Sequence, residues 1–382
     1  MLNKNLSVQE KINKLVSLYD KDFLEEALKE AKYLVNQYPN LSLIYNIYGC
    51  INNSLGYWDQ SLICFSKAIK LKPLYAEAYY NMGIALDCLG QLEESVFSYT
   101  KAIEIKPNYP TFYEGLIRLL TFYDPIKPNS NLCVKANKLL QKINYKYVPN
   151  KEISDDEVIT FFQKCNNIIL KNIKNLSLNE TEIFRNNTID LNCDRHFKVF
   201  NNFNVIPEYC FGCYKVQVEV KSVVDLFKLH FVFNNIKLQN NNPRKCMLEM
   251  RPEVTGSYKG YIYCFSLDEA KEIHNQLSYI LTKKINNKVS IIVKRGCSEF
   301  AISYPEYKIS NKKNSKEMKY KDEWKRKEKL IDSKLVNRNH SKIRVLRENL
   351  PGATVCDALI MSNWIVYAKI IGDLSYKKII KK

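Results

Sequence analysis

The stretch AEAYYNMGIALDCLGQLEESVFSYTKAIEIKPNY, Ala76 to Tyr109, repeats the key positions of the segment before it, Ser42 to Tyr75, at a spacing of 34 residues. Gly49 and Gly83, Gly56 and Gly90, Ala68 and Ala102, and Pro73 and Pro107 are each 34 apart, and Pro39 lies another 34 before Pro73. Self-similarity at a fixed period of this length marks supersecondary units that stack. Tyr45 and Tyr79 open the first helix of each unit, and Phe65 and Tyr99 sit in the second. Gly49 and Gly83 let paired helices approach closely, while Gly56 and Gly90 make the turn within the hairpin. Each proline ends a second helix, because it lacks a backbone donor and clashes with the preceding turn.

These residues resemble the tetratricopeptide repeat family. The match rests on Tyr79, Gly83, Gly90, Ala102 and Pro107, with Ser95 (and Ser61 in the unit before) where the family usually has alanine. A first unit, about Val8 to Leu41, keeps Ala27 and Pro39 but carries Leu15 and Asp22 at the glycine positions. A fourth starts at Pro110 with Tyr113 and Leu116 and breaks at Pro125 and Pro128. The resemblance implies an α-solenoid over residues 1–124, whose hairpins bury apolar faces against one another and leave a concave groove. By the family's geometry, the groove would be lined by Leu43, Asn46, Cys50, Asn53, Glu77, Tyr80, Ile84 and Asp87, which lack a Lys/Arg clamp for a terminal carboxylate. The implied activity is binding a protein segment.

Charge divides the chain. Of 382 residues with a formal net charge of +18, residues 1–124 hold 12 Lys/Arg and 14 Asp/Glu, whereas the remainder hold 46 and 26. A near-neutral array thus precedes a strongly basic half, for which nucleic acid or another polyanion is the natural partner class and a Lys- and Asn-rich compositional bias the plain alternative. The N-terminus MLNKNLSVQEKINKL is polar and no uncharged apolar run approaches membrane-spanning length, so we expect no transmembrane segment and a cytoplasmic location. Twelve cysteines scattered irregularly over a chain of this size read mostly as reduced core thiols.

Residues 125–205 read as capping helices, Leu132–Ile143 and Asp155–Ile173, followed by a linker. From Tyr209 the apolar period changes to two. YKVQVEV (214–220), KCMLEMR (245–251), YKGYIYCF (258–265) and VSIIVKR (289–295) read as strands. Two helices intervene, capped by Ser222 with Asp225 and by Ser266 with Glu269. The order β-α-β-β-α-β over residues 206–305 spells a ferredoxin-like α+β sandwich of strand order 4-1-3-2. We expect its first and third strands to be central and parallel. One sheet edge would then gather Cys210, Cys213, Arg251, Glu253, Tyr258, Lys259, Arg295 and Cys297.

Two chemistries suit that half. Cys210-Phe-Gly-Cys213 has the C-x₂-C spacing that aims two thiolates at one ion. Cys297 is a sensible third ligand, and Cys193 or His196 a fourth, for zinc or an iron–sulfur cluster. A redox pair is the related alternative. Against a metal, Cys246 and Cys264 fall on the helix-packed face and no second C-x₂-C pair exists. The strand Lys259-Gly-Tyr261-Ile-Tyr263 partly resembles the aromatic signature of the RNA-recognition motif, with Tyr261 and Tyr263 placed for base stacking and Lys215, Arg251 and Lys294 for phosphates. Ile262 and Ser266 depart from that signature.

Residues 306–382 read as a basic helical tail, in which YKDEWKRKEKLIDSK is a solvated charged helix and the helix around Trp364 docks on the sheet or the repeats. No Walker loop, nucleophile elbow, H-E-x-x-H or dinucleotide fingerprint is present, and His230 and His274 read as core or surface groups. The expected protein is a non-catalytic adaptor. RNA binding on the open sheet and a metal or redox centre on the cysteine edge are the alternatives.

Overall fold

The computed structural model of the chain describes residues 7–173, 176–252, 254–286, 288–308, 318–336 and 347–380. The chain divides into two compact units, one formed by residues up to 134 with 334–336 from the end of a later helix, the other by residues 135–333 and 347 onward.

The first unit is a run of antiparallel hairpins: α1 (Val8–Asp20) with α2 (Leu24–Gln37), α3 (Ser42–Leu55) with α4 (Trp58–Leu71), and α5 (Ala76–Cys88) with α6 (Leu92–Ile105), then α7 (Pro110–Leu119). The three intrahairpin turns are equivalent. Gly56 and Gly90 have φ of 77° and 76°, and Asp22, where the family has glycine, adopts φ 64°. Asp tolerates that left-handed region better than most residues, so the first hairpin closes without a glycine. Ile12, Leu15, Leu24, Ala27, Ala31, Leu34, Ile44, Ile51 and Leu55 form one core through the first three helices. A Cβ on Gly49 would lie 2.3 Å from the Phe65 ring, and one on Gly83 2.8 Å from Tyr99, so both glycines are needed for the helices to touch. The serines that replace alanine are fully buried yet satisfied: Ser95 Oγ donates to the Gly83 carbonyl at 2.7 Å and Ser61 Oγ to Tyr57 at 3.0 Å.

The second unit holds α8 (Leu132–Leu140) in part, α9 (Asp155–Asn172), β1 (Glu182–Arg185), α10 (Cys193–Phe203), β2 (Tyr214–Val220), α11 (Val223–Asn235), β3 (Arg244–Leu248), β4 (Tyr258–Cys264), α12 (Leu267–Lys284), β5 (Ser290–Arg295), α13 (Ser298–Ser303), α14 (Trp324–Val336), α15 (Val355–Ile370) and α16 (Tyr376–Ile380). Its sheet has the order β1-β3-β4-β2-β5 and is antiparallel throughout. The expected N-caps are present, Ser222 accepting from the Asp225 amide and Ser266 from the Glu269 amide. Helices α11 and α12 cover the face that carries Val216, Val218, Gly260 and Ile262. Gly260 lets α11 approach, since a Cβ there would meet Leu229 and Phe233 at 2.8 and 2.9 Å.

Three expectations are corrected. β2 and β4, expected parallel, are antiparallel: Tyr214 sits opposite Cys264 and Val220 opposite Tyr258. The helical crossover α11 returns β3 in the same direction as β2, and the antiparallel pairing of β4 with β3 then reverses it. Tyr214 also pairs with Arg295 and Arg244 with Ile262, so Cys210 and Cys213 share an edge with Cys297, while Tyr258 and Lys259 lie at the opposite end with Arg251 beyond β3. Glu253 lies outside the described residues.

Next, residues 182–185, expected in a linker, form edge strand β1 paired with β3. Finally, the charged helix α14 is not simply solvated. Trp324 is buried among Phe211, Tyr304 and Tyr320, and Glu328 accepts from Arg195 at 2.8 Å and from the Glu208 amide at 2.9 Å. Helix α15 docks beside the sheet: Trp364 Nε1 donates to the Thr181 carbonyl at 2.8 Å, and Asp357 takes both Nη atoms of Arg185 at 2.8 and 3.1 Å. His230 is buried beside Trp364, with Asn234 3.0 Å from its Nε2.

Candidate functional site

Two places gather candidate side chains, one in each unit. In the repeats, Asn46, Cys50 and Asn53 follow one another at i, i+4 and i+7 along α3, a single stripe. Asn81, on α5, donates from Nδ2 to Asn46 Oδ1 and to Cys50 Sγ, both at 3.2 Å, tying the stripe to the next unit. The Asn53 Oδ1 atom is buried and has no hydrogen-bond partner among the described residues. A buried acceptor of this kind is costly unless something donates to it.

The other expected groove residues differ in state. Leu43 is exposed, while Ile84 and Asp87 are half-buried. Glu77 pairs with Lys106, and although burial pushes its pKa up, that ammonium holds it below the usual carboxylate value. Tyr80 packs against Tyr99 and Phe112, with ring centroids 5.6 and 5.2 Å away, and serves as a wall rather than a free contact. Asn81 escaped the sequence reading, because it lies one position off the family's groove register. Its 35-residue offset from Asn46, one repeat plus one, was the available signal.

In the second unit, the open sheet face forms a cleft of about 460 Å³. Five of the six residues expected to meet nucleic acid line it: Lys215, Arg251, Tyr261, Tyr263 and Lys294. They are not free as a base-stacking platform requires. Tyr261 is only 8% exposed and has the Lys245 ammonium 5.9 Å from its ring centroid. The sixth, Lys259, is fully buried with its Nζ 3.7 Å from Glu249. Arg251 is held by Glu249 and Glu299, and Lys245 by Glu182 at 2.9 Å. Lys294 donates to Gln217 and Ser298 at 3.1 and 3.0 Å. The cations of this face are woven into the protein's own network.

At the β2 and β5 end of the cleft lies a small cavity of about 10 Å³, room for one water. Every nominated metal ligand lines it: Cys193, His196, Cys210, Cys213 and Cys297. Even so, among the described residues no three His, Cys, Asp or Glu are placed to hold a metal ion together. Burial pushes the Cys213 thiol up to about 11, and Cys193 and Cys210 up as well, which disfavours the thiolates a metal needs. Burial, with Arg195 nearby, lowers His196 to about 4, and its ring stacks on Tyr209 at 5.2 Å.

The unforeseen member is Lys215. Its Nζ stands 3.3 Å from Cys297 Sγ and 5.2 Å from the Tyr263 ring centroid. Burial works against its charge, but Cys297, Tyr263 and Cys213 outweigh it and raise its pKa. The pairing spans 82 residues and leaves no local mark in the sequence.

Residues 76–109 match the tetratricopeptide repeat family, and no curated protein matches the chain. Among solved structures, the chain is similar to the Arabidopsis OM64 TPR domain at 17% identity, covering 28% of this chain and 90% of that one, with a TM-score of 0.28. It is also similar to the first TPR of Spaghetti (RPAP3) bound to the HSP90 peptide SRMEEVD, at 18% identity over 31% and 95% of the two chains and a TM-score of 0.28. The MamA protein is 20% identical over 46% of this chain and 80% of its own, with a TM-score of 0.30. No helix among the described residues is long and apolar enough to cross a membrane.

Proposed function

With its N-terminal unit a helical solenoid of tetratricopeptide type, we propose that this protein is an adaptor that holds an extended segment of a partner protein along the α3 and α5 groove. The observation that carries this reading is the amide stripe Asn46, Asn53 and Asn81, with a buried Asn53 Oδ1 that lacks an internal donor among the described residues. Side-chain amides suit an extended chain, because an amide carries both a donor and an acceptor for a peptide backbone irrespective of its sequence, and with Asn81 already donating to Asn46 the Asn53 acceptor is the group left for a peptide N–H. Specificity then falls to Leu43, Ile84 and the flanking acid Asp87. Because the eight groove candidates include no Lys or Arg to clamp a terminal carboxylate, the reading favours an internal segment over a free C-terminus.

The second unit we read as a ferredoxin-like βαββαβ module with β1 added at its edge. Supporting this are the spatial order β3-β4-β2-β5 and the placement of α11 and α12 on one face. In this reading residues 206–305 are the module's core.

The test is selection of displayed peptides against the full chain, followed by affinity measurement with an N46A/N53A/N81A variant whose melting curve matches the parent. We expect internal peptide sequences to enrich and to lose at least tenfold in affinity for the variant. Peptides that bind the folded triple variant undiminished would sink the groove assignment.

A further inference from the structure

The cysteine cavity and the cleft meet at Cys297. This thiol and Cys193 line both spaces, so they are half-buried side chains open to a volume that admits a small molecule. Lys215 stands at the same junction, its ammonium 3.3 Å from the Cys297 sulfur. A cation at that distance stabilises negative charge on sulfur, the form in which cysteine attacks. Cys210 and Cys213, the pair whose spacing draws attention in the sequence, are the less suitable nucleophiles: Cys210 is buried outright, and neither lines the cleft.

We propose that Cys297 is a nucleophilic thiol that exchanges with low-molecular-weight disulfides entering through the sheet-face cleft, and that Cys193 resolves the product. In the first step the Cys297 sulfur, having lost its proton to solvent, attacks one sulfur of R–S–S–R. A Cys297–S–S–R bond forms, the R–S–S–R bond breaks, and RS⁻ leaves to take up a proton. In the second, the Cys193 sulfur attacks the Cys297 sulfur of that mixed disulfide and gives up its proton to the departing RS⁻, forming a Cys193–Cys297 bond and releasing the second RSH. Two protein thiols are oxidised and one small disulfide is reduced to two thiols. Both sulfurs line the one small cavity, whose volume is about that of a single water. Lys215 is a positioning residue: it stabilises the attacking sulfur without bonding to the incoming molecule.

The experiment treats the full-length reduced protein with 2,2′-dithiodipyridine, and in a second arm with oxidised glutathione, and follows released thiol while mass spectrometry locates the modified cysteine. The half-buried Cys50 and Cys88 are internal references. We expect Cys297 to react at least tenfold faster than either, Lys215→Met to remove that advantage, and Lys215→Arg to retain part of it. Cys193→Ser should accumulate the mixed disulfide at Cys297 and release one small thiol rather than two. Equal rates at Cys297 and the references overturn the proposal even if Lys215→Met fails to fold. Reaction at Cys210 or Cys213 first overturns it too. Release of two thiols from Cys193→Ser removes Cys193 from its role.

Discussion

Alanine at Gly49 should loosen the second hairpin through a single identifiable clash. The added Cβ would sit 2.3 Å from Phe65 Cε1, 2.7 Å from Cδ1 and 2.8 Å from Cζ. Carbon atoms prefer about 3.5–4.0 Å. Phe65 is fully buried, so its ring has no solvent to swing into. Overpacking of this kind costs about 1–3 kcal/mol, and the severity of the contact places it near the top of that range. Alanine recovers about 1 kcal/mol because glycine is a poor residue in a helix interior. The expected net loss is therefore about 1–2 kcal/mol. It should be read by hydrogen exchange of amides in α3 and α4 within the full chain, where local opening free energy falls by that amount. Phe65→Leu in the same chain removes the offending ring atoms, so Gly49→Ala should cost at least about 1 kcal/mol less in that background. If Gly49→Ala protects these helices better than the parent, or costs the same with and without the Phe65→Leu change, the close-approach account of the repeat glycines is wrong.

Other outcomes are equally specific. Removing one partner of the buried Arg185–Asp357 pair, as in Asp357→Leu, should destabilise the second unit by about 3–5 kcal/mol in urea unfolding, whereas Arg185→Met with Asp357→Leu together should recover most of it. A double variant no better than the single one would refute this. His196 and His230 are buried neutral, their pKa values lowered by desolvation to about 4 and about 3 from an unfolded value near 6.5. Between those limits the unfolded state binds more protons, so stability is full above about pH 6.5 and falls as pH drops toward 4. Denaturant midpoints at pH 7, 6 and 5 should decrease, and less steeply in His196→Asn; a flat profile contradicts the burial argument. Ser95→Ala loses only the bond to a helix carbonyl and should cost no more than about 1 kcal/mol by thermal unfolding.

The repeats were legible because each is specified locally and then said again: a glycine under an aromatic ring, a turn residue and a proline recur in register. The sheet strands were legible by alternation, to within a few residues of β2, β4 and β5. Their direction was not, since an apolar pattern reads the same both ways and only the crossover helix decides it. Strand β1 has four residues, Glu182 to Arg185, between polar stretches, and draws its identity from β3 some 60 positions later. For the candidate sites, Asn46 and Asn53 were reachable through the repeat register, and Asn81 only by noticing the off-by-one offset. The cysteines were foreseen as a set, whereas the cation among them was not. What distinguishes Cys297 from its neighbours is Lys215, and side chains 82 residues apart meet only through the pairing of β2 with β5.

Helix α15 carries one more implication, for the order in which the molecule comes into being. The repeat hairpins close through contacts 12 to 35 positions apart, such as Ser95 to Gly83 and Asn81 to Asn46. The sheet is sealed by Arg185 with Asp357 and by Thr181 with Trp364, separations of 172 and 183. Such distant closures are slow, whereas local ones are fast. During synthesis the solenoid can therefore form while the sheet still waits for residues near 364. For that interval the nascent chain carries closed hairpins ahead of a sheet whose outer strand, Glu182–Arg185, still lacks the carboxylate that will neutralise its arginine.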